Sequence, residues 1–157
     1  MSGPAAAAGR VQVQGTCAAV EGVGLLLRGP PGAGKSDLAL RLVDGGGALV
    51  SDDLCEIRCE GGRLMIDLPG AVDPSFRGLI EVRGIGLLRL PHTGPVPLGL
   101  VADLKPIGAE ERLPEPAEVA FLGLTLPLVV LDPFRASAAA LLRLLARERS
   151  KIIMRPS

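Results

Sequence analysis

The chain has 157 residues, 17 basic and 17 acidic side chains, and a hydrophobic fraction of 48%. That length and content fit one domain able to bury its own core, and they exclude wholesale disorder. Zero net charge and only three aromatics, Phe76, Phe121 and Phe134, argue against nucleic-acid binding, which calls for a basic excess or stacking platforms.

In chain order, residues 1–10 are small and flexible in character. Val11–Val20 reads as a strand with a kink at Gly15. Val23–Arg28 is a short apolar run of the kind that makes a buried strand. A Gly/Pro-rich loop follows at Gly29–Gly34. The spacing then predicts a helix over Lys35–Asp44, with Leu38/Leu42 and Ala39/Val43 at i, i+4 and Gly45-Gly46-Gly47 ending it. Ala48–Ser51 is a strand ending in Asp52-Asp53. Leu54–Cys59 and Arg63–Asp67 form a hairpin around Gly61-Gly62.

Residues 69–78 read as loop or a single helical turn. Leu79–Arg83 and Leu87–Leu90 are short strands. Leu98–Leu104 is a further strand after a proline-bearing loop at 91–97, and Glu118–Leu122 and Leu126–Leu131 are strands after the polar, proline-rich stretch 105–117. Ala136–Arg149 is a second helix, with an expected apolar stripe of Ala140, Leu141, Leu144 and Leu145 and arginines opposite. Residues 150–157 read as a frayed basic tail, leaving 11–149 as the domain. An α/β fold rich in sheet and poor in helix follows from this order.

The three cysteines are an odd number in a chain that can bury a core, so free thiols are expected. Cys55 and Cys59 read as small buried hydrophobes, since no second Cys/His pair completes a zinc site. No apolar run approaches 18 residues and no targeting segment is evident, so a cytoplasmic location without a membrane partner is expected.

Gly29-Pro30-Pro31-Gly32-Ala33-Gly34-Lys35-Ser36 fits G-x-x-x-x-G-K-[ST], in the required context of apolar strand before and amphipathic helix after. Glycines let successive backbone N–H groups converge on one anion, and the helix start adds its own unpaired N–H groups. Lys35 brings a charge to the β- and γ-phosphates, and the Ser36 hydroxyl can ligate Mg²⁺. Pro30 and Pro31 lack N–H groups, so the cradle falls to residues 32–36. Candidate acids stand at three strand ends: Asp52/Asp53, Asp103 and Asp132. Asp103 and Asp132 also suit strand-end turns. Neighbouring strand residues face opposite ways, so Asp52 and Asp53 take different roles unless the strand has ended. Glu81-Val-Arg83-Gly-Ile-Gly86 is a further constellation whose glycines allow close approach to a ligand.

The run GPPGAGKSDLALRLVDGGGALVSDD followed by IEVRGIGLLRLP resembles the catalytic domain of the HPr kinase/phosphorylase family. The resemblance covers residues 11–104 well and the remainder loosely. It implies a P-loop domain similar to phosphoenolpyruvate carboxykinase, a short form without the family's N-terminal domain, and a hexamer. It implies ATP and Mg²⁺ as cofactors and a serine of HPr as acceptor, with phosphorolysis to pyrophosphate as the reverse reaction. Carried over by residue, Gly29, Gly32, Ala33, Gly34, Lys35 and Ser36 would hold the nucleotide. Asp53 would be the acid/base, and Ser36, Glu81 and Asp52 would serve the metal. Arg112 matches the family's later catalytic arginine. Gln14 stands where the family usually has His, and Arg135 alone keeps the charge of a later basic segment. A catalytically silent nucleotide-binding module and a P-loop kinase for a small molecule are the rival readings.

Overall fold

The computed structural model describes residues 9–107 and 117–153. Gly15, at φ +151°, divides the first expected strand into β1 (Arg10–Gln14) and β2 (Thr16–Val20). A Cβ at Gly15 would lie 2.8 Å from both the Leu26 side chain and the Leu27 carbonyl, so the kink requires glycine. β3 (Val23–Arg28) leads into the loop and α1 (Lys35–Asp44), then β4 (Ala48–Ser51). β5 (Leu54–Glu60) and β6 (Arg63–Asp67) form the expected hairpin. One short 3₁₀ turn spans Pro74–Phe76, where the Asp73 side chain accepts from the Ser75 N–H. β7 (Leu79–Val82) and β8 (Gly86–Arg89) pair only with each other. β9 (Val96–Leu104), β10 (Ala117–Phe121), β11 (Leu124–Leu131) and α2 (Ala138–Ile153) complete the described elements.

The main sheet runs β1-β5-β6-β9-β3-β2-β4, with β11 also on β9 and β10 outside it. β9 is its hub. Val96 and Pro97 pair antiparallel with β6, whereas residues 101–104 pair parallel with β11. Along its other edge β9 runs parallel to β3. β3 is covered on both faces. Leu25 and Leu27 join the cluster under the two helices, and Leu26 joins the cluster on the opposite face with Cys17, Ile57, Ile66 and Val101. Double burial explains why its sequence is a continuous apolar run without polar alternation. No phenylalanine is among the buried residues of the core, in line with an aliphatic interior.

α1 buries Leu38, Ala39, Leu42 and Val43, as its spacing predicts. α2 departs from expectation in two ways. It continues to Ile153, past the expected end at Arg149, and its buried face is Ala138, Ala139, Leu142 and Ala146. Leu141 and Leu144 instead lie exposed. The small alanines let this helix lie close on the sheet, and two of its arginines turn inward rather than outward. Arg143 donates to the Arg41 carbonyl at 2.7 Å, and Arg149 to the Gly99 carbonyl at 2.9 Å. These bonds to backbone carbonyls rotate the face that pure hydrophobic periodicity selects. Among the cysteines all three are free. Cys17 and Cys55 are buried, but Cys59 is exposed near the end of β5, against the expectation of burial.

Candidate functional site

A cleft of about 380 Å³ opens where the loop between β3 and α1 faces the β7–β8 ribbon. One wall is residues 31–37, and the other is Glu81, Val82 and Arg83, with Asp53 between them. The loop owes its shape to a few requirements. Gly32 and Gly34 take positive φ, +84° and +96°, which glycine adopts at no steric cost. A Cβ at Gly29 would come within 2.7 Å of the Ala33 Cβ, and one at Gly34 within 3.3 Å of Pro133. Pro133 and Phe134, from the segment before α2, therefore back the loop directly, and the Arg41 guanidinium donates to the Pro133 carbonyl. Gly34 caps α1 with no side-chain acceptor. The first N–H groups of the helix are thus left for an external anion. The Ala33 N–H is spent on the Pro30 carbonyl at 3.0 Å, so it is withdrawn from the cradle expected of residues 32–36. Lys35 Nζ donates to the carbonyls of Gly29 (2.5 Å) and Pro30 (3.3 Å) along the inner side of the loop.

Asp52 and Asp53 follow the end of β4 and diverge. Asp52 Oδ1 accepts from the Ser36 hydroxyl at 3.2 Å and from the Thr16 hydroxyl at 2.8 Å. Its Oδ2 faces the Glu81 N–H at 3.5 Å. This carboxylate therefore ties together α1, β2 and β7. Asp53 has φ +72°, and the Leu54 N–H closes a three-residue turn around it onto the Asp52 carbonyl at 2.9 Å. That hydrogen bond and that φ are those of the γ-turn rarely adopted by side-chain-bearing residues, at a cost of roughly 1–3 kcal/mol. The turn directs residue 53 to the cleft.

A hydroxyl and a carboxylate oxygen 3.2 Å apart are hard donors of the kind Mg²⁺ prefers. Among the described residues no group of three or more His, Cys, Asp or Glu side chains gathers to hold a metal unaided. The donor set thus fits an ion that draws most of its remaining ligands from phosphate and water.

The other strand-end acids are engaged elsewhere. Asp103 makes a two-pronged pair with Arg28, its cross-strand partner, at 2.7 and 3.1 Å. Asp132 accepts from the Ile107 and Phe134 N–H groups and forms a turn, with Arg135 at 3.8 Å. Arg112 lies outside the described residues. The 3₁₀ turn and the ribbon are braced from behind. Arg77 forms a two-pronged pair with the mostly buried Asp67 at 2.9 and 3.2 Å, which holds the guanidinium more firmly protonated than usual. Arg89 donates to the carbonyls of Ser75 and Arg77. Burial, with the Asp52 charge adding to it, pushes the Cys55 thiol up to about 12. Burial likewise holds the Cys17 thiol well above its ordinary range.

Thr16 and Gly15 are the site residues that motif reading overlooks. The available signal was a lone hydroxyl opening a fully buried strand, directly after a glycine kink.

Known proteins with these features can now be set beside the chain. The family model for the HPr Serine kinase C-terminal domain matches residues 5–93. An HPr kinase/phosphorylase of Exiguobacterium sp. is 42% identical over 76 residues, which are 48% of this chain and 24% of that one. The HPr kinase/phosphorylase of Geobacillus thermodenitrificans is 33% identical over 135 residues, covering 74% of this chain and 42% of the relative. The chain thus spans less than half the length of these curated relatives. The solved HPr(Ser) kinase/phosphatase of Coxiella burnetii superposes with a TM-score of 0.72 at 22% identity, over 91% of this chain and 92% of that one. The fold is shared, down to a sheet-rich α/β domain with two described helices.

Proposed function

The chain belongs to the HPr Serine kinase C-terminal domain family, and we propose that it transfers the γ-phosphoryl group of ATP to a serine of the phosphocarrier protein HPr. The observation that carries this reading is the single cleft that gathers the Lys35-Ser36 loop, Asp53, Glu81 and Arg83. A phosphate-binding wall and an acceptor-side carboxylate on one cleft are what phosphoryl transfer requires of a protein, since positioning and charge stabilisation supply most of the catalysis.

Backbone N–H groups of Gly32, Gly34, Lys35 and Ser36 bind the phosphates, and Lys35 Nζ exchanges its carbonyl partners for phosphate oxygens. Ser36 and Asp52, with Glu81 alongside, would hold Mg²⁺, and that ion would supply charge neutralisation for the phosphates. Asp53 orients the serine hydroxyl toward phosphorus. The new bond from serine oxygen to phosphorus forms as the bond from phosphorus to the β-phosphate oxygen breaks. Asp53 takes the serine proton late, because a hydroxyl is too weak an acid to surrender it beforehand. In reverse, inorganic phosphate attacks phosphoserine, the serine oxygen leaves with a proton from Asp53, and pyrophosphate is formed. Arg83, on the ribbon side of the cleft, faces charge developing on the transferred group. Arg112 stays the proposed later arginine of the family pattern.

The same family reading carries a hexamer and a cytoplasmic location. Exposed Leu141, Leu144 and Ile152 along one side of α2 support contacts between subunits, which sedimentation velocity tests directly. No described helix is long and apolar enough to cross a membrane.

Incubation with γ-labelled ATP, Mg²⁺ and HPr tests the central claim. Label is expected on an HPr serine, and added phosphate is expected to release it as pyrophosphate. Nucleotide binding without transfer, or label on a metabolite alone, overturns the reading. Asp53→Asn is expected to reduce transfer by about 10²–10⁴-fold while ATP affinity holds. Near-normal transfer by this variant would remove Asp53 from its role.

A further inference from the structure

The two neighbouring aspartates need to do different things from adjacent positions, and nothing in their own sequence forces them apart. β4 ends at Ser51, after which the Asp52 carboxylate engages Ser36 while Asp53 turns to the cleft. Only a handful of contacts fix this divergence. Two are local: the Ser51 hydroxyl donates to the Leu54 carbonyl at 2.5 Å, and the Leu54 N–H donates to the Asp52 carbonyl at 2.9 Å. The Glu81 N–H of β7 also faces Asp52 Oδ2 at 3.5 Å, and the rest come from β2 and the kink before it. The Gly15 N–H donates to the Asp53 carbonyl at 3.0 Å. The Thr16 hydroxyl donates to Asp52 Oδ1 at 2.8 Å and accepts from the Asp53 N–H at 3.4 Å. Thr16 is fully buried.

We infer that Thr16 is a positioning residue for phosphoryl transfer: its single buried hydroxyl holds Asp52 toward Ser36 and holds Asp53 in its strained turn facing the acceptor side. This inference rests on the kinase reading above for its catalytic consequence, but the clamp itself is a property of the fold. A residue with positive φ relaxes toward ordinary backbone unless its surroundings over-determine it. Here Thr16 contributes one of the two β2-side backbone restraints and one of the two hydroxyls on Asp52 Oδ1. An apolar side chain at 16 of the same shape would fill the same space and leave both aspartates less restrained. Threonine is also the right donor for this place. Its hydroxyl both gives and accepts a hydrogen bond, and its methyl branch suits a strand. A serine keeps the first property and an isosteric valine keeps only the second.

The test uses the full chain with Thr16→Val and Thr16→Ser. Phosphorylation of HPr is measured by single-turnover and steady-state kinetics, ATP binding by calorimetry with and without Mg²⁺, and exchange of the Asp53 amide by nuclear magnetic resonance. Thr16→Val is expected to lose 10- to 100-fold in kcat with KM for ATP within about threefold, and to exchange its Asp53 amide at least tenfold faster. Thr16→Ser is expected to recover kcat to within about threefold of the parent. A valine variant that turns over like the parent, or a serine variant that falls equally far, overturns the inference while leaving the kinase reading intact. Should the parent protein itself fail to phosphorylate HPr, the kinase reading fails separately, and the clamp is decided by the amide: faster exchange in valine than in serine supports it, and equal exchange overturns it. A valine variant that does not fold passes the decision to Thr16→Ala and Thr16→Ser, compared in the same exchange measurement.

Discussion

The two walls of the cleft are built in opposite ways. The loop wall is made of consecutive residues, 29–36, whose shape comes from glycine φ values, the start of α1 and a backing of Pro133 and Phe134. The ribbon wall, β7 and β8, is a two-stranded sheet of its own. It reaches its position through Ile80, buried in the core under the helices, and through polar side-chain contacts: Asp52 with the Glu81 N–H, Arg77 with Asp67, and the Arg89 brace. The difference teaches that the loop wall is held by local backbone geometry and the ribbon wall by a buried side chain and side-chain polar contacts. Lesions in the two walls should therefore separate nucleotide binding from transfer.

The largest effect is expected from Lys35→Ala, which removes the cation proposed to meet the phosphates. Transfer should fall by 10³-fold or more, with ATP affinity weakened as well, both measurable by labelled transfer and calorimetry. Next is Gly34→Val. A β-branched residue at φ +96° against Pro133 combines backbone strain with a clash, so about 2–4 kcal/mol of stability and at least tenfold in ATP affinity should be lost. On the opposite wall, Arg77→Met leaves the mostly buried Asp67 carboxylate without its partner. A loss of about 2 kcal/mol in thermal unfolding and roughly tenfold in transfer is expected, with ATP affinity unchanged. An equal loss of ATP affinity in this variant would break the contrast between the walls.

The smallest effects concern the thiols. At pH 8 only exposed Cys59 should react promptly with a thiol reagent, while Cys17 and Cys55 wait for unfolding. The sign of the pH dependence follows from the raised Cys55 value. The unfolded chain releases that proton near 9 and the native chain near 12, so the native state binds more protons in between. Its stability should be intact below about pH 9 and decline above it, as chemical denaturation across pH 8–11 would read.

The same contrast governs what the amino-acid order makes legible. The loop, α1 and β4 are local structures, and their bounds of Lys35–Asp44 and Ala48–Ser51 match the spacing signals residue for residue. Different roles for Asp52 and Asp53 could be expected from the sequence and the resemblance, but what holds them apart could not, because a hydroxyl on β2 and a serine on α1 do so. Hydrophobic periodicity misplaced the buried face of α2. Its spacing suits several stripes, and Arg143 and Arg149 choose among them by reaching carbonyls on α1 and β9. The expected burial of Cys59 also did not hold. This cysteine sits two residues before the Gly61-Gly62 turn and is exposed, although its register partner Leu64 is buried.

β7 and β8 share no backbone ladder with the main sheet, so the ribbon is anchored at two places instead: Ile80 buried under the helices, and the chain just past β8 bonded to Leu49 of β4. Evolution, or an engineer, can vary its exposed edge, where Ile85 and Leu87 stand free of the core, while Ile80 stays packed and Glu81, Val82 and Arg83 keep their places on the cleft.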